Sequence, residues 1–511
     1  MSTHLAHVPA ALSEILWQQQ AGWPVLAGLQ LLPLLGAALV LALGERAGAV
    51  TLGRIVALAE LGLALLLYRH IDAATPALQL AERIDWLGYH AAADGVTALF
   101  VLLAALLVVL MTLYGLVRGL AHPGRLMGLI LLAEAAVMSM LATTNLLWFA
   151  LASVVELAVA AYLIGHWSTS TEDNRQLAVT RFLQFQGVGL ALLAGGMLIL
   201  AWGHADVTGR WSFDLFDLVK APAQGKFQSA AFFLLFYGLA VRTPLFPLHG
   251  WLPNVAHRGT VAIAPALLLG VKVGIYGMLR FMLPLTQEAV AVWQPFIVGF
   301  AMVGVFYAAL LAFFQTNLRR LLSFAVVSHT SLIVIGLFSL HPLGVAGAVL
   351  LSVNFGLAAT VMLFMVGFVF RRTHTTDLVR LGGLFERIPF IAACFLTGGL
   401  AIAGMPGTPG FDAAHLVLEA AMERFGALPT VATALGNVTA AGFLLYAFQK
   451  AFLAPAAASE NAPPLERTLP MEYLVGGVAV AVLLAAGFFF ESWLVLIEPA
   501  TQAMAARFGA E

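Results

Sequence analysis

Residues 95–117 read GVTALFVLLAALLVVLMTLYGLV, a run without a single charged side chain. As a helix rising about 1.5 Å per residue, such a run crosses the roughly 30 Å of a bilayer's hydrocarbon core. The stretch from Leu103 to Leu113 does not alternate apolar and polar residues, so it is not the short alternating strand of a transmembrane barrel. Similar runs recur on both sides of it. They predict helices at 23–44, 49–68, 95–117, 125–144, 145–165, 178–202 and 228–247, then at 260–284, 290–314, 320–340, 343–370, 389–424 (interrupted), 428–454 and 470–496. The chain is therefore expected to be an all-α polytopic membrane protein of about fourteen transmembrane helices.

Composition agrees. The 511 residues are 61% hydrophobic and 10% charged, with a mean hydropathy of +0.94, whereas soluble domains carry roughly a quarter charged residues. A water-soluble core is excluded, and a net charge of -1 leaves no basic footprint for nucleic acid. Met1 to Gly22 contains His4, His7 and Glu14 but no Lys or Arg, which is not a signal-peptide n-region, so 23–44 reads as a retained first helix. The single cysteine, Cys394, lies in an apolar run and reads as a small buried hydrophobe.

No linker suggests a second soluble domain. The chain reads as one transmembrane unit, with N-terminal helices and a polar loop at 1–94, a first repeat at 95–250, a second at 251–455 and a C-terminal helix at 456–511. Most Lys and Arg fall in one set of loops, from Arg46, Arg118 and Arg125 to Arg319, Arg371, Arg372 and Arg467. The opposite set carries a minority such as Arg69, Arg83, Arg210 and Arg424. Since the cytoplasmic side keeps the positive charge, both termini are expected on the non-cytoplasmic side of a bacterial inner membrane.

Two segments interrupt the helical pattern. Pro244, Pro247 and Pro253 end the seventh helix, and Gly404, Pro406, Gly407, Pro409 and Gly410 break the twelfth. Irregular backbone at membrane depth persists only where it is buried in protein or lines a wet cavity. A proline kink explains either break alone; paired breaks in two halves mark an ion path in transporters.

Ionisable residues at mid-depth are few. A charge there costs at least about 2.5 to 3.5 kcal/mol on insertion scales. Glu156 lies half way through the fifth helix, Arg242 just before the Pro244 break, Lys272 at the centre of the eighth and His329 in the tenth. Arg242 serves equally as a structural counter-ion to Glu156 or as part of a charge relay, because arginine hardly releases its proton. Lys272 cannot easily snorkel, and a desolvated lysine can exchange its proton near neutral pH. His329 is either a hydrogen-bonded core residue or a proton carrier. Glu60, Glu134, His249, His257, Asp412, His415 and Glu419 are secondary candidates; Glu60 and Glu134 face either a neighbouring subunit or a wet cavity.

With these residues in place, the chain resembles the antiporter-like proton-channel subunits of respiratory complex I, of the M type, and the related Mrp antiporters. The similarity runs from about Asp94 to Pro455. Its densest part is Pro244-Leu-Phe-Pro-Leu-His249-Gly-Trp-Leu-Pro253, followed by Lys272 and Tyr276-Gly-Met-Leu-Arg280-Phe281. It continues through Asn317 to Ser328-His329, His374-Thr with Gly382-Gly-Leu, Gly404-Met-Pro-Gly407 and Tyr446-Ala-Phe-Gln-Lys450. The resemblance implies two inverted five-helix repeats with broken helices 7 and 12. It also implies a proton relay in which Glu156, Lys272 and His329 keep the family's residue types.

The chain departs at four places. Arg242 stands where the family has a lysine, and Phe355, flanked by Asn354, where it usually has a histidine. Ala414, between Asp412 and His415, replaces the exit glutamate, and Gly259-Thr-Val261 replaces Ala-Pro-Thr. Three functions follow from the resemblance. One is a proton-translocating subunit of a complex I-like NADH:quinone oxidoreductase. Another is the proton-conducting subunit of an inorganic-carbon uptake complex, an Mrp-type cation/proton antiporter or a membrane-bound hydrogenase. The third is a structural subunit whose channel has decayed. No cysteine cluster or glycine-rich dinucleotide fingerprint is present, so redox cofactors or zinc are expected only in partner subunits, membrane and soluble, with H+ or Na+ as the transported ion.

Overall fold

The computed structural model describes residues 12–223, 225–259, 263–455 and 465–509; His4, His7, Thr260 and Val261 lie outside them. Among the described residues, twelve helices are long and apolar enough to cross a membrane, and two shorter apolar helices, Phe227–Arg242 and Pro389–Ile402, bring the spans to the expected fourteen. Spans one to six are Val25–Leu43, Ala47–His70, Gly95–Val117, Pro123–Ala142, Leu146–His166 and Glu172–Thr208. The seventh is Phe227–Arg242, the eighth Ile263–Leu285, the ninth Gln287–Phe313, the tenth Leu318–Leu337 and the eleventh Pro342–Thr373. Pro389–Ile402 opens the twelfth, and Ala427–Leu453 and Pro470–Phe488 are the last two.

The spans sort by exposure. The third, eighth, tenth and eleventh are almost wholly buried and form the centre of the bundle. The first, second, fifth, sixth, ninth and thirteenth turn apolar side chains outward, among them Leu35, Ile55, Val154, Val188, Val303 and Val438. A soluble protein does not expose so continuous an apolar belt; lipid is the solvent that accepts it.

Both expected breaks are present. The seventh span ends at Arg242 and resumes as Leu252–Arg258, and the twelfth ends at Ile402 and resumes as Pro409–Phe425. The breaks stand five spans apart, one in an odd and one in an even span, so they face the membrane in opposite directions. Trp251 ties the first break down by donating its indole N–H to the Val241 carbonyl at 3.1 Å. Asn354 ties down the second, donating to the Ala401 carbonyl at 3.1 Å.

Three features depart from the expected pattern. The eighth span, expected continuous over 260–284, is interrupted at Lys272. The last helix, expected over 470–496, stops at Phe488 and restarts as Phe490–Ala506, which packs against the third and eleventh spans. At the arginine-poor end of the bundle, Glu14–Leu16, Leu78–Ile84 and Tyr89–Ala93 form a small three-stranded sheet. Its hairpin, Leu78–Ile84 with Tyr89–Ala93, forms within the polar loop, and Glu14–Leu16 joins it in parallel from before the first span, without altering the all-helical membrane region.

Candidate functional site

The fifth span brings Glu156 into the protein interior on the face that also carries Ser153, and the end of the seventh brings Arg242 to it. Glu156 Oε2 accepts from Arg242 Nη2 at 2.8 Å, with both side chains nearly inaccessible. The pair has one ionic contact only. Arg242 Nε and Nη1 have no hydrogen-bond partner, and Nη2 otherwise meets the Met140 sulfur at 3.7 Å. An arginine saturated by a carboxylate makes two parallel bonds; this one keeps donors in reserve. Because an uncompensated ion at this depth costs several kcal/mol, the pair holds the seventh span against the fifth.

Lys272 lies where the eighth span is broken. Its φ and ψ are -79° and 66°, and Val273 N donates to the Val271 carbonyl at 2.8 Å, which makes Lys272 the central residue of an inverse γ-turn. Small residues permit the break. A Cβ on Gly274 would collide with Thr243 and the Leu239 carbonyl, and one on Gly356 would collide with the Gly270 carbonyl. The seventh span, with Arg242 beside Thr243, and the eleventh therefore approach the turn from two sides.

Among the described residues, the side chain of Lys272 finds no carboxylate. Nζ donates to Thr330 Oγ1 at 2.9 Å and lies 4.3 Å from the ring centroid of Phe355. Phe355 stacks in turn on His329, with ring centroids 5.0 Å apart, and His329 Nε2 has no partner. A hydroxyl and an aromatic face support an ammonium without fixing it as an acid would, since a buried cation–π contact contributes about 2 kcal/mol. A cavity of about 20 Å³, bounded by Phe355, Ala359, Val326, Ser323 and Arg319, runs from the ring toward the arginine-rich end. That is room for a water molecule.

Four of the residues singled out in the sequence, Glu156, Arg242, Lys272 and His329, thus lie on four spans, the fifth, seventh, eighth and tenth, around the break that ends the seventh span and the turn at Lys272. The others are distributed differently. His249 is buried in the first break among Phe246, Tyr307 and Phe324, its Nδ1 unpartnered. Asn354 anchors the second break. On the second helix of the twelfth span, Ala414 packs inward, Asp412 is half-buried, and His415 and Glu419 are exposed, so these last two point away from the bundle's centre. Glu60 and Glu134 are buried elsewhere, on the second and fourth spans. Sequence reading missed Thr330, although its place directly after Ser328-His329 was a signal. It also missed the part Phe355 plays as a cap on Lys272.

The fold and these buried charges define a polytopic helical membrane protein with ionisable groups held at two helix breaks. Residues 143–440 match the family model of the NADH:quinone oxidoreductase/Mrp antiporter transmembrane region. The chain is 31% identical over 433 residues to an NAD(P)H-quinone oxidoreductase chain 4 of Synechococcus sp., covering 83% of this chain and 80% of that one. It is also 31% identical over 413 residues to NADH-quinone oxidoreductase subunit M of Pseudomonas aeruginosa, 79% of each. A chain of respiratory complex I from Thermus thermophilus superposes with a TM-score of 0.84 at 28% identity, covering 95% of this chain and 100% of that chain. The chain belongs to the NADH:quinone oxidoreductase/Mrp antiporter family.

Proposed function

We propose that this chain is the proton-translocating, antiporter-like membrane subunit of a complex I-like quinone oxidoreductase, with Glu156, Arg242, Lys272 and His329 as its relay. The observation that carries the reading is Lys272: an amine at a mid-membrane helix break, supported by neutral groups, in a turn that packs against Thr243, the neighbour of Arg242 in the buried ion pair. At an effective dielectric near 20, unit charges about 4 Å apart interact by roughly 4 kcal/mol, a factor on the order of a thousand in a protonation equilibrium. Moving Glu156 toward or away from Arg242 changes the field at Lys272, by an amount that falls below this figure as the separation grows. A neighbouring subunit that draws Glu156 away would therefore switch Lys272, with His329 beyond Phe355 as the next carrier. The free donors of Arg242 suit it to a second partner when the pair opens.

The relatives' names support the assignment, since they are chains of quinone oxidoreductases. In this reading the redox cofactors reside in other subunits, the translocated ion is H+, and the arginine-rich loops face the cytoplasm of a bacterium, with both termini on the other side. Mild purification from the native membrane, with mass spectrometry of what accompanies the chain, tests it. Co-purifying flavin and iron–sulfur subunits are expected. A zinc-containing soluble partner without redox subunits would instead place the chain in an inorganic-carbon uptake complex.

A further inference from the structure

Glu60 and Glu134 take no part in the relay. Each lies near the middle of its helix, the second span and the fourth, and each is buried to within 1%. None of their four carboxyl oxygens has a hydrogen-bond partner. The two residues face each other by register. Both spans are even-numbered and so run in the same direction; Gly53 of one packs under Met127 of the other, and seven residues later each reaches its glutamate. Seven residues is about 10.5 Å of helix, close to two full turns, so the glutamates return to the face that the Gly53–Met127 contact defines.

Among the described residues, no cation answers them. The first span, packed against both helices, has no titratable side chain, and the third offers only Tyr114. Arg54 and Arg125 sit toward the arginine-rich ends of the same two helices, more than a turn from the glutamates. On the fourth span's other neighbours, Glu156 is held by Arg242, Tyr276 donates to the Leu141 carbonyl, Lys272 is held by Thr330, and His90 lies between Asp214 and Glu14. No group of three or more metal-ligating side chains occurs among the described residues.

Two bare carboxylates side by side in hydrocarbon are excluded by solvation and by mutual repulsion. We propose that Glu60 and Glu134 form a proton-binding site: the pair retains a proton at neutral pH, between the second and fourth spans and separate from the Glu156–Lys272 relay. The site does not depend on the relay reading, and its test reads protonation rather than transport.

The test is infrared spectroscopy of the intact chain in its native assembly at neutral pH, in H2O and D2O. Wild type minus E60Q/E134Q is expected to show the loss of a protonated-carboxyl C=O stretch that shifts on deuteration. If the double variant does not assemble, E60D and E134D serve, and at least one is expected to displace that band. An acid-carbonyl region unchanged in E60Q/E134Q, or unchanged in both aspartate variants, overturns the proposal.

Discussion

An ammonium at mid-membrane depth costs at least about 2.5 to 3.5 kcal/mol on insertion scales, and at Lys272 the groups that offset this are one hydroxyl and one aromatic face. Such support is weak enough to be reversible. Thr330→Val removes the hydroxyl, a hydrogen bond to a charged group of about 1.5 to 3 kcal/mol, and proton uptake by inverted vesicles is expected to fall at least tenfold with assembly unchanged. An unchanged rate would mean that Thr330 does not support the working state. Glu156→Gln keeps the shape of its site but leaves Arg242 without a counter-charge, and proton uptake is expected to be lost almost completely. A silent Glu156→Gln would indicate that the channel no longer conducts. The lysine and the glutamate were legible in the sequence because a charge in an apolar helix is conspicuous. Phe355 was legible only as a departure; its contact with Lys272 depends on how the eleventh span packs, which no local pattern encodes.

Helices and strands add constraints that single side chains do not. Arg372, at the end of the eleventh span, meets Glu472, at the start of the fourteenth, through bonds of 2.6 and 2.9 Å with both side chains fully buried, and it also donates to the Glu466 and Arg467 carbonyls. Breaking such a pair from one side costs about 3–5 kcal/mol. Glu472→Gln is therefore expected to lower the thermal midpoint of the purified protein markedly, and an unchanged midpoint would show that the backbone carbonyls suffice to hold Arg372. At the opposite end, His90 bridges Asp214 and Glu14 at 2.7 Å each, tying the first strand to the segment before Leu215. Burial lowers its basicity, but the bonds and charges of Asp214 and Glu14 more than offset that, so it titrates above its ordinary value. A raised histidine contributes stability that is fully present below the unfolded value near 6.5 and lost as pH rises through the folded one. Amide exchange at residues 14–16, corrected for its intrinsic pH dependence, is expected to accelerate on alkalisation in wild type and to lose that dependence in His90→Gln. The proline and glycine clusters made the breaks in the seventh and twelfth spans legible. The break at Lys272 was not, because Gly270 and Gly274 also fit an unbroken helix; it is the close approach of Thr243 and of the eleventh span that requires them.

At the scale of the whole molecule, the spans legible in the sequence are the spans found, because hydrocarbon thickness and backbone hydrogen bonding dictate them residue by residue. The small sheet and the separate helix Phe490–Ala506 lie at the bundle's end, where those constraints lapse and tertiary contacts decide. The sequence likewise placed Glu156, Arg242, Lys272 and His329 at membrane depth; only packing could show that Glu156 engages Arg242 while Lys272 does without an acid. The central claim, that protons cross through Lys272, is tested most directly by proton uptake into inverted native-membrane vesicles carrying Lys272→Met, with assembly verified by the same purification as wild type. The account predicts a correctly assembled complex whose proton uptake through this chain is abolished; uptake equal to wild type would make Lys272 a structural residue and contradict it.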